Sequence, residues 1–352
     1  MHKPYKIAYI ELDCHAEVVN NFMSLMNDSK LFNVDYFLAK HILDELDILP
    51  SCNVFIVDEN NVRLKLSKSY QLVIIGTANT YFNLYKKIAK QYNTALIVHN
   101  LNFVQTPAGK ILRKIFNQNK RSFLRLWLQG ILHKDKLQRL TRLLVLDKRL
   151  ITQSNGVDIQ LLPLSFNLYN KKVVLNQPVK VVIPGTVNNN RRDYQHVLEK
   201  IKYFTSEMEI YLLGKAEEED MLRKLSQTQA SLHPNIRIIY YDDYISQEAF
   251  ENVLKEAHLV WCPLQEKTFF MGVNEYYGKT KITGNINDAI KFGKPIILPD
   301  HYKAKDFFIF TEQDDIEKQI KNIATKVFEF EEFSKEKVLR KLEDALTQLL
   351  AK

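Results

Sequence analysis

Cysteine is scarce in this chain, with Cys14, Cys52 and Cys262 the only three among 352 residues. They are odd in number, far apart, and each sits in or beside an apolar segment. That arrangement argues against a disulfide framework and a zinc site, so reduced thiols in a cytoplasmic protein are expected. Long apolar runs are missing too. No stretch approaches the ~20 residues of a spanning helix. Ile7-Ala8-Tyr9-Ile10 is too short for a signal-peptide core and is followed by no small-residue cleavage site. Several chemical signatures are also absent: a phosphate-loop lysine, a Gly-x-Gly-x-x-Gly after either candidate first strand, a Gly-x-Ser-x-Gly elbow, and a clustered His/Cys ligand set. A nicotinamide enzyme, an elbow-type hydrolase and a zinc centre are thereby disfavoured. Asp242-Asp243 and Asp314-Asp315 are candidates for a metal but read as solvated turns, and no metal is expected.

What is present is the balance of a folded protein, 46% hydrophobic and 26% charged, in a chain long enough for two cores. Positive charge is concentrated. Residues 110–149 hold twelve Lys/Arg against Asp135 and Asp147, a net +10 that leaves −2 for the rest of a chain of net +8. Local basicity of this kind points to an anionic partner.

Short β-branched runs alternate with helix-period segments, the pattern of parallel sheets with crossover helices. Strands are expected at Lys6–Leu12, Asn33–Leu38, Cys52–Val57, Leu72–Gly76, Ala95–His99 and Leu143–Leu146. The pattern then restarts, with strands at Val179–Pro184, Glu209–Gly214, Ile236–Tyr240, Leu259–Pro263 and Pro295–Pro299. The join lies near Pro163–Pro178. Ser334–Leu350 carries Val338, Leu342, Ala345, Leu346, Leu349 and Leu350 at helical spacing, so it must dock an apolar face. The expected division is 1–165, 166–333 and a terminal helix, 334–352, that crosses back to the first domain. A ligand is expected in the interdomain cleft, at the strand C-termini.

The strongest motif runs from Gly278 to Pro299. A basic loop with Lys279, Thr280 and Lys281 leads into a helix begun at Thr283/Gly284; the helix ends at Gly293, and Pro295 opens a buried strand. Unpaired amides of Gly284, Asn285 and Ile286, the helix dipole and the lysines form a site for a phosphate or diphosphate. Asp288, one turn inside, suits a vicinal diol such as ribose. Earlier, Val181-Val182-Ile183-Pro184-Gly185-Thr186 continues through Asn188-Asn189-Asn190 to Arg191-Arg192-Asp193. This is a strand, a glycine turn, a polar loop and a helix start bearing a cation that opposes the dipole unless an anion is near.

These segments resemble the donor site of family-4-like GT-B glycosyltransferases. Asn287-Asp288-Ala289-Ile290-Lys291-Phe292-Gly293-Lys294-Pro295-Ile296-Ile297 falls in the register of the family's ribose-binding helix and the turn after it. The family's two glutamates, separated by seven residues, become Thr280 and Asp288 here. Its arginine–lysine clamp on the diphosphate becomes Thr186 and Arg191. Ile210–Gly214, Ile236–Ser246 and Ala257–Leu264 follow in family order, with Tyr240 and Tyr241 where the nucleobase lies. The resemblance implies an α/β, GT-B architecture of two Rossmann-like domains, and a nucleotide-sugar donor that is a substrate rather than a cofactor. It also implies metal-independent transfer of a sugar, a hexose by expectation, to a glycan or lipid-linked acceptor in polysaccharide biosynthesis. His99 ends a strand where related enzymes keep a histidine near the donor sugar. Asp13 and His15 follow the first strand and are the candidate bases if the reaction inverts.

Between Lys110 and Leu132, apolar residues including Phe123 and Trp127 alternate with lysines and arginines, with a break around Asn117–Asn119. Two readings stand: a helix pair packed on the first domain, and an interfacial surface facing anionic lipid. Nucleic acid is not expected, since no recognition motif accompanies the charge. A GT-B sugar-nucleotide epimerase and a non-catalytic GT-B scaffold are the alternatives to a transferase.

Overall fold

The computed structural model describes residues 3–46, 52–153, 158–169, 178–303 and 306–351. The first half is organised on β1 (Tyr5–Glu11), where Ile7, Ala8, Tyr9 and Ile10 are fully buried. A strand covered by helices on both faces needs a continuous apolar run rather than alternation. It joins β2 (Phe32–Leu38), β3 (Asn53–Ile56), β4 (Leu72–Ile75), β5 (Thr94–Ile97), β6 (Arg142–Val145) and β7 (Ile159–Leu161). The seven parallel strands lie in the order β3-β2-β1-β4-β5-β6-β7. The second half repeats the plan with β8 (Val179–Pro184), β9 (Met208–Lys215), β10 (Ile236–Tyr241) and β11 (Leu259–Trp261). A hairpin, β12 (Lys267–Phe270) and β13 (Val273–Tyr276), precedes β14 (Ile296–Leu298) and β15 (Ile309–Thr311). Its six-stranded parallel sheet runs β10-β9-β8-β11-β14-β15.

In both sheets the order in which strands are added reverses beside the first strand, between β1 and β4 and between β8 and β11. At such switch points the loops leaving neighbouring strands diverge and open a crevice beyond the strand C-termini. The loops concerned are 12–15 and 76–80 in the first domain, and 185–193 and 262–283 in the second.

The terminal helix, Lys335–Leu350, crosses back to the first domain. Val338, Leu342, Leu346 and Leu349 are buried in the first domain's core. Asn93 Nδ2 and the Arg142 guanidinium donate to the carbonyl of Leu349, and Gln160 Nε2 donates to that of Ala345. Burial is the main attachment: roughly 1.5–3 kcal/mol for each large apolar side chain, against about 0–1 kcal/mol for the exposed Lys335–Asp28 pair. The outward and return crossings lie side by side. Asn167 N donates to Phe333 O at 2.7 Å, and Asn167 bridges to Ser334. Residues 170–177, part of the expected join, lie outside the described residues.

The hairpin has no counterpart in the sequence reading. Phe270 and Val273 pair across a two-residue tip, Met271-Gly272, with φ 42° and 76°, the left-handed pair that matches strand twist in a tight turn. It leaves its own domain and packs on the first. Val273 is buried in the first core, Phe270 meets Phe103 edge-on at 5.2 Å, and Gly272 presses on Ile115. Glu275 is fully buried and accepts the amides of Asn102 (3.2 Å) and Phe103 (2.7 Å), while Asn102 Nδ2 donates to Asn274 O at 2.9 Å.

Candidate functional site

On the second-domain side the chain turns at Gly185, φ 105°, where an added Cβ would collide with the guanidinium of Arg192. Gly214 lets β9 approach the Gly185 backbone equally closely. Arg192 is 9% exposed, and its Nη2 donates to Asn285 Oδ1 at 2.9 Å. Its Nε has no partner among the described residues. Asn285 is a hub, donating to Pro184 O (3.3 Å) and Asp288 Oδ2 (3.2 Å) and accepting from Cys262 Sγ (3.0 Å). The helix Gly284–Phe292 is capped by Thr283, whose hydroxyl accepts the Asn285 amide at 3.3 Å, and ends at Gly293. Nothing stands within 4 Å of a Cβ built on Gly284, so the helix start is open there, whereas Ile286 is buried. Burial pushes Asp288 up to about 6, against the bond from Asn285 and the charges of Lys291 and Arg192.

The expected phosphate cation at this spot was Arg191. The structure brings its neighbour to the helix start instead. Arg191 is exposed, with its carbonyl taken by Gln265 N. The hydrogen-bond ladder decides this: Asp193 N binds Pro263 O, and Arg192 bridges to Leu264, so the side chain at 192 points inward. Thr186 is exposed beside the turn. Lys279 turns to the surface and pairs with Glu266 at 3.4 Å, both about half exposed. The Thr280 hydroxyl accepts Tyr276 N at 2.9 Å and its carbonyl accepts Leu101 N at 2.9 Å, so Thr280 holds the hairpin base. Tyr240 and Tyr241 lie on the edge strand β10, partly packed into the domain's apolar clusters. Of the paired acids, Asp243 is exposed near Lys215, and Asp315 caps the helix Ile316–Ala324.

Lys281 reaches across the cleft. Its Nζ donates to Asn100 Oδ1 at 2.6 Å, and burial, with Arg191's charge, pushes it down to about 8. Asn21 Nδ2 meets Asn287 Oδ1 at 3.2 Å in a second bridge. On the first-domain side, His15 (φ 71°) and His99 stack with ring centroids 3.9 Å apart. His99 Nε2 lies 2.9 Å from Gly76 O, which can only accept, so Nε2 carries the proton and Nδ1 is left as the ring's acceptor. Burial, then the charge of His15, hold its pKa low, so the ring is neutral. His15 behaves oppositely. Burial alone would lower it, but bonds with Cys14 and with Glu17 (Nδ1 to Oε1, 2.8 Å) push it up to about 10. Asp13 Oδ2 accepts from Thr80 at 3.4 Å.

Three groups here were not singled out from sequence: Arg192, Asn100 and Glu11. Glu11 is fully buried at the end of β1. Its signal was available, because a lone acid shares the apolar face of Ile7 and Tyr9 at period 2. Among the described residues no cluster of three metal-ligating side chains occurs. The cleft therefore gathers several cations at a capped helix start, with the carboxyl of Asp288 and one neutral imidazole beside them. That composition suits an anion attached to a hydroxyl-rich group.

Two parallel sheets of this order meeting at their C-terminal loops have the GT-B fold, and solved structures share it. The lipopolysaccharide outer core galactosyltransferase WaaB is similar with a TM-score of 0.58 and 12% identity, covering 97% of this chain and 99% of its own. A UDP-N-acetylglucosamine 2-epimerase is similar at 0.51 and 10% identity, covering 99% and 98%. The UDP-GlcNAc 2-epimerase from Neisseria meningitidis, bound to UDP-GlcNAc, gives 0.50 and 10% identity, covering 97% and 100%. Identities this low speak for the fold, and the reaction must be argued from the side chains. No protein-family profile matches the sequence, and no match to it is found among the curated proteins.

Proposed function

We propose that this chain is a nucleotide-sugar-dependent glycosyltransferase moving a hexose to a glycan or lipid-linked acceptor in polysaccharide synthesis, without metal or cofactor. The observation that carries this reading is the Arg192 guanidinium, nine-tenths buried with Nε unpartnered, lying over Gly185 at the start of the helix Gly284–Phe292. A buried cation of this kind is costly unless an anion completes it. A donor diphosphate fits: Arg192 and the open helix start would bind its oxygens and stabilise the charge that develops as the glycosidic bond breaks. Asp288 would accept from ribose hydroxyls, with Tyr240 and Tyr241 on the base side. Lys281, His15 and His99 would meet the sugar from across the cleft. In its cationic state His15 contributes charge, leaving Asp13 as the carboxylate able to take a proton from the acceptor.

Calorimetry with UDP, GDP and dTDP tests the reading. One of them is expected to bind, and product analysis with the matching sugar nucleotide then separates transfer from epimerisation. Binding of none would indicate a scaffold and end the proposal.

The acceptor side includes the basic window. Ala108–Gln118 and Lys120–Leu128 are helices separated at Asn119, whose side chain caps the second by accepting the amides of Arg121 and Ser122. Ile111, Leu112, Ile115 and Leu126 turn inward, which satisfies the packing reading. Phe116, Leu124, Trp127, Leu128 and Leu132 nevertheless remain more than half exposed among Arg113, Lys114, Arg121 and Arg125. No helix among the described residues is long and apolar enough to cross a membrane. An apolar ridge flanked by cations suits the surface of an anionic bilayer, where a lipid-linked acceptor resides. The protein is expected to co-sediment with phosphatidylglycerol-containing vesicles at low salt. Trp127→Ser with Leu128→Ser should cut that binding tenfold or more, since each inserted side chain contributes roughly 1.5 kcal/mol or more. Equal sedimentation of both proteins would count against the ridge.

A further inference from the structure

We infer that Glu11 is the positioning residue of the histidine pair, one buried carboxyl group that sets His15 through one oxygen and His99 through the other. This rests on the reading of the cleft as a transferase site and adds to it a residue outside the substrate's reach. Oε1 accepts the amides of Asp13 (2.9 Å) and Cys14 (3.3 Å). Those bonds wind the chain after β1 into the turn that delivers His15 with φ 71°, a backbone uncommon for any residue with a Cβ. Oε2 accepts the Thr77 hydroxyl at 2.8 Å, and the same hydroxyl lies 3.5 Å from Cys14 O, tying the loops after β1 and β4 together. One residue before Thr77, the Gly76 carbonyl receives His99 Nε2. A Cβ at Gly76 would stand 2.5 Å from Glu11 Oε2 and 2.8 Å from Tyr9 Oη, so the carboxyl occupies the room that glycine leaves. The loop that carries His15 and the loop whose Gly76 carbonyl receives His99 are therefore fastened to one side chain at the sheet's switch point.

An acid at this depth is not what packing alone would select. Its hydrogen-bond donors are two amides and a hydroxyl, and burial pushes it up to about 7 in spite of them. The titratable groups around it are Asp13, Cys14 and His15 from its own turn, Glu17 from the following helix, Tyr9 and Tyr36 from β1 and β2, and Tyr85 from the helix Phe82–Ala89. Of these, only His15 is a cation. The carboxylate form thus holds the turn and favours the charge on His15 together, which a neutral isostere would separate.

The test reads the rings themselves, so it does not depend on sugar transfer. Histidine ring resonances, assigned with single His→Gln variants, are followed by NMR in the native protein, Glu11→Gln, Glu11→Ala and Thr77→Val. Glu11→Ala is expected to remove the mutual ring-current shifts of His15 and His99. Glu11→Gln should keep the stack while lowering the pH at which His15 titrates. Thr77→Val should move His99, with the His15 resonances changing only through the ring current of its stacked neighbour. Nucleotide affinity should stay within threefold throughout; where transfer is measurable, Glu11→Ala should lower kcat at least tenfold with donor KM unchanged, partly restored in Glu11→Gln. Unmoved rings in Glu11→Ala overturn the inference, and if that variant does not fold, an unmoved His99 in Thr77→Val does so. A native protein that binds no nucleotide would fail the transferase reading instead, with the ring resonances still deciding the role of Glu11.

Discussion

Replacing Arg192 by alanine should weaken nucleotide diphosphate binding at least tenfold by calorimetry, whereas Arg191→Ala should change it less than threefold. A hydrogen bond to a charged group is worth about 1.5–3 kcal/mol, and 1.4 kcal/mol is one decade of affinity. Arg191 is exposed, so its charge, though it reaches Lys281, is partly screened by water. Arg192 works from a buried position, with its fork anchored on Asn285. Arg192→Lys should fall between native and alanine, since it keeps the charge and loses the planar fork. The unliganded fold should tolerate the alanine. Among the described residues no carboxylate pairs with Arg192, and Asn285 Oδ1 keeps the thiol of Cys262 as a donor. A melting temperature near native accompanied by lost binding is the expected pair of results; equal losses at 191 and 192 would spread the clamp over both.

The second large effect is on stability. Glu275→Ala should cost about 3–5 kcal/mol in chemical denaturation, because two buried amides, Asn102 and Phe103, lose their acceptor and each unmet donor costs roughly 1–3 kcal/mol. The same change frees the hairpin from the first domain, so a single unfolding transition is expected to split into two. Glu275→Gln should lose less, since its one carbonyl oxygen still serves an amide. A cost below 1 kcal/mol with one sharp transition would mean that Val273 and Phe270 hold the hairpin without the carboxylate.

The sheets were legible because each central strand is a short β-branched run between turn residues, as in Ile7–Ile10 and Val179–Pro184. β7 and β15 were not, because three-residue edge strands such as Ile159–Leu161 leave no pattern to read. The hairpin escaped for another reason: Phe270 and Val273 have nothing to pack on until a second domain is there to receive them. At the site, the helix start, its Thr283 cap and the Gly293 ending followed from local rules of termini. The choice between Arg191 and Arg192 did not. It depends on a ladder to Pro263 and Leu264, some seventy residues away, which fixes which of two adjacent side chains turns inward. The contrasting histidines were equally hidden, since their charges are set by partners and by each other rather than by spacing.

The insertion of β12 and β13 into the opposite half changes how this scaffold can be re-engineered. Donor and acceptor halves of modular proteins invite chimeras cut at the connecting segment. Here such a cut would strip the first domain of Val273 and of the helix Lys335–Leu350, both integral to its interior. A functional hybrid would need to carry residues 267–276 and 335–350 with the recipient's own N-terminal partner, as if three separate stretches of chain were inherited together.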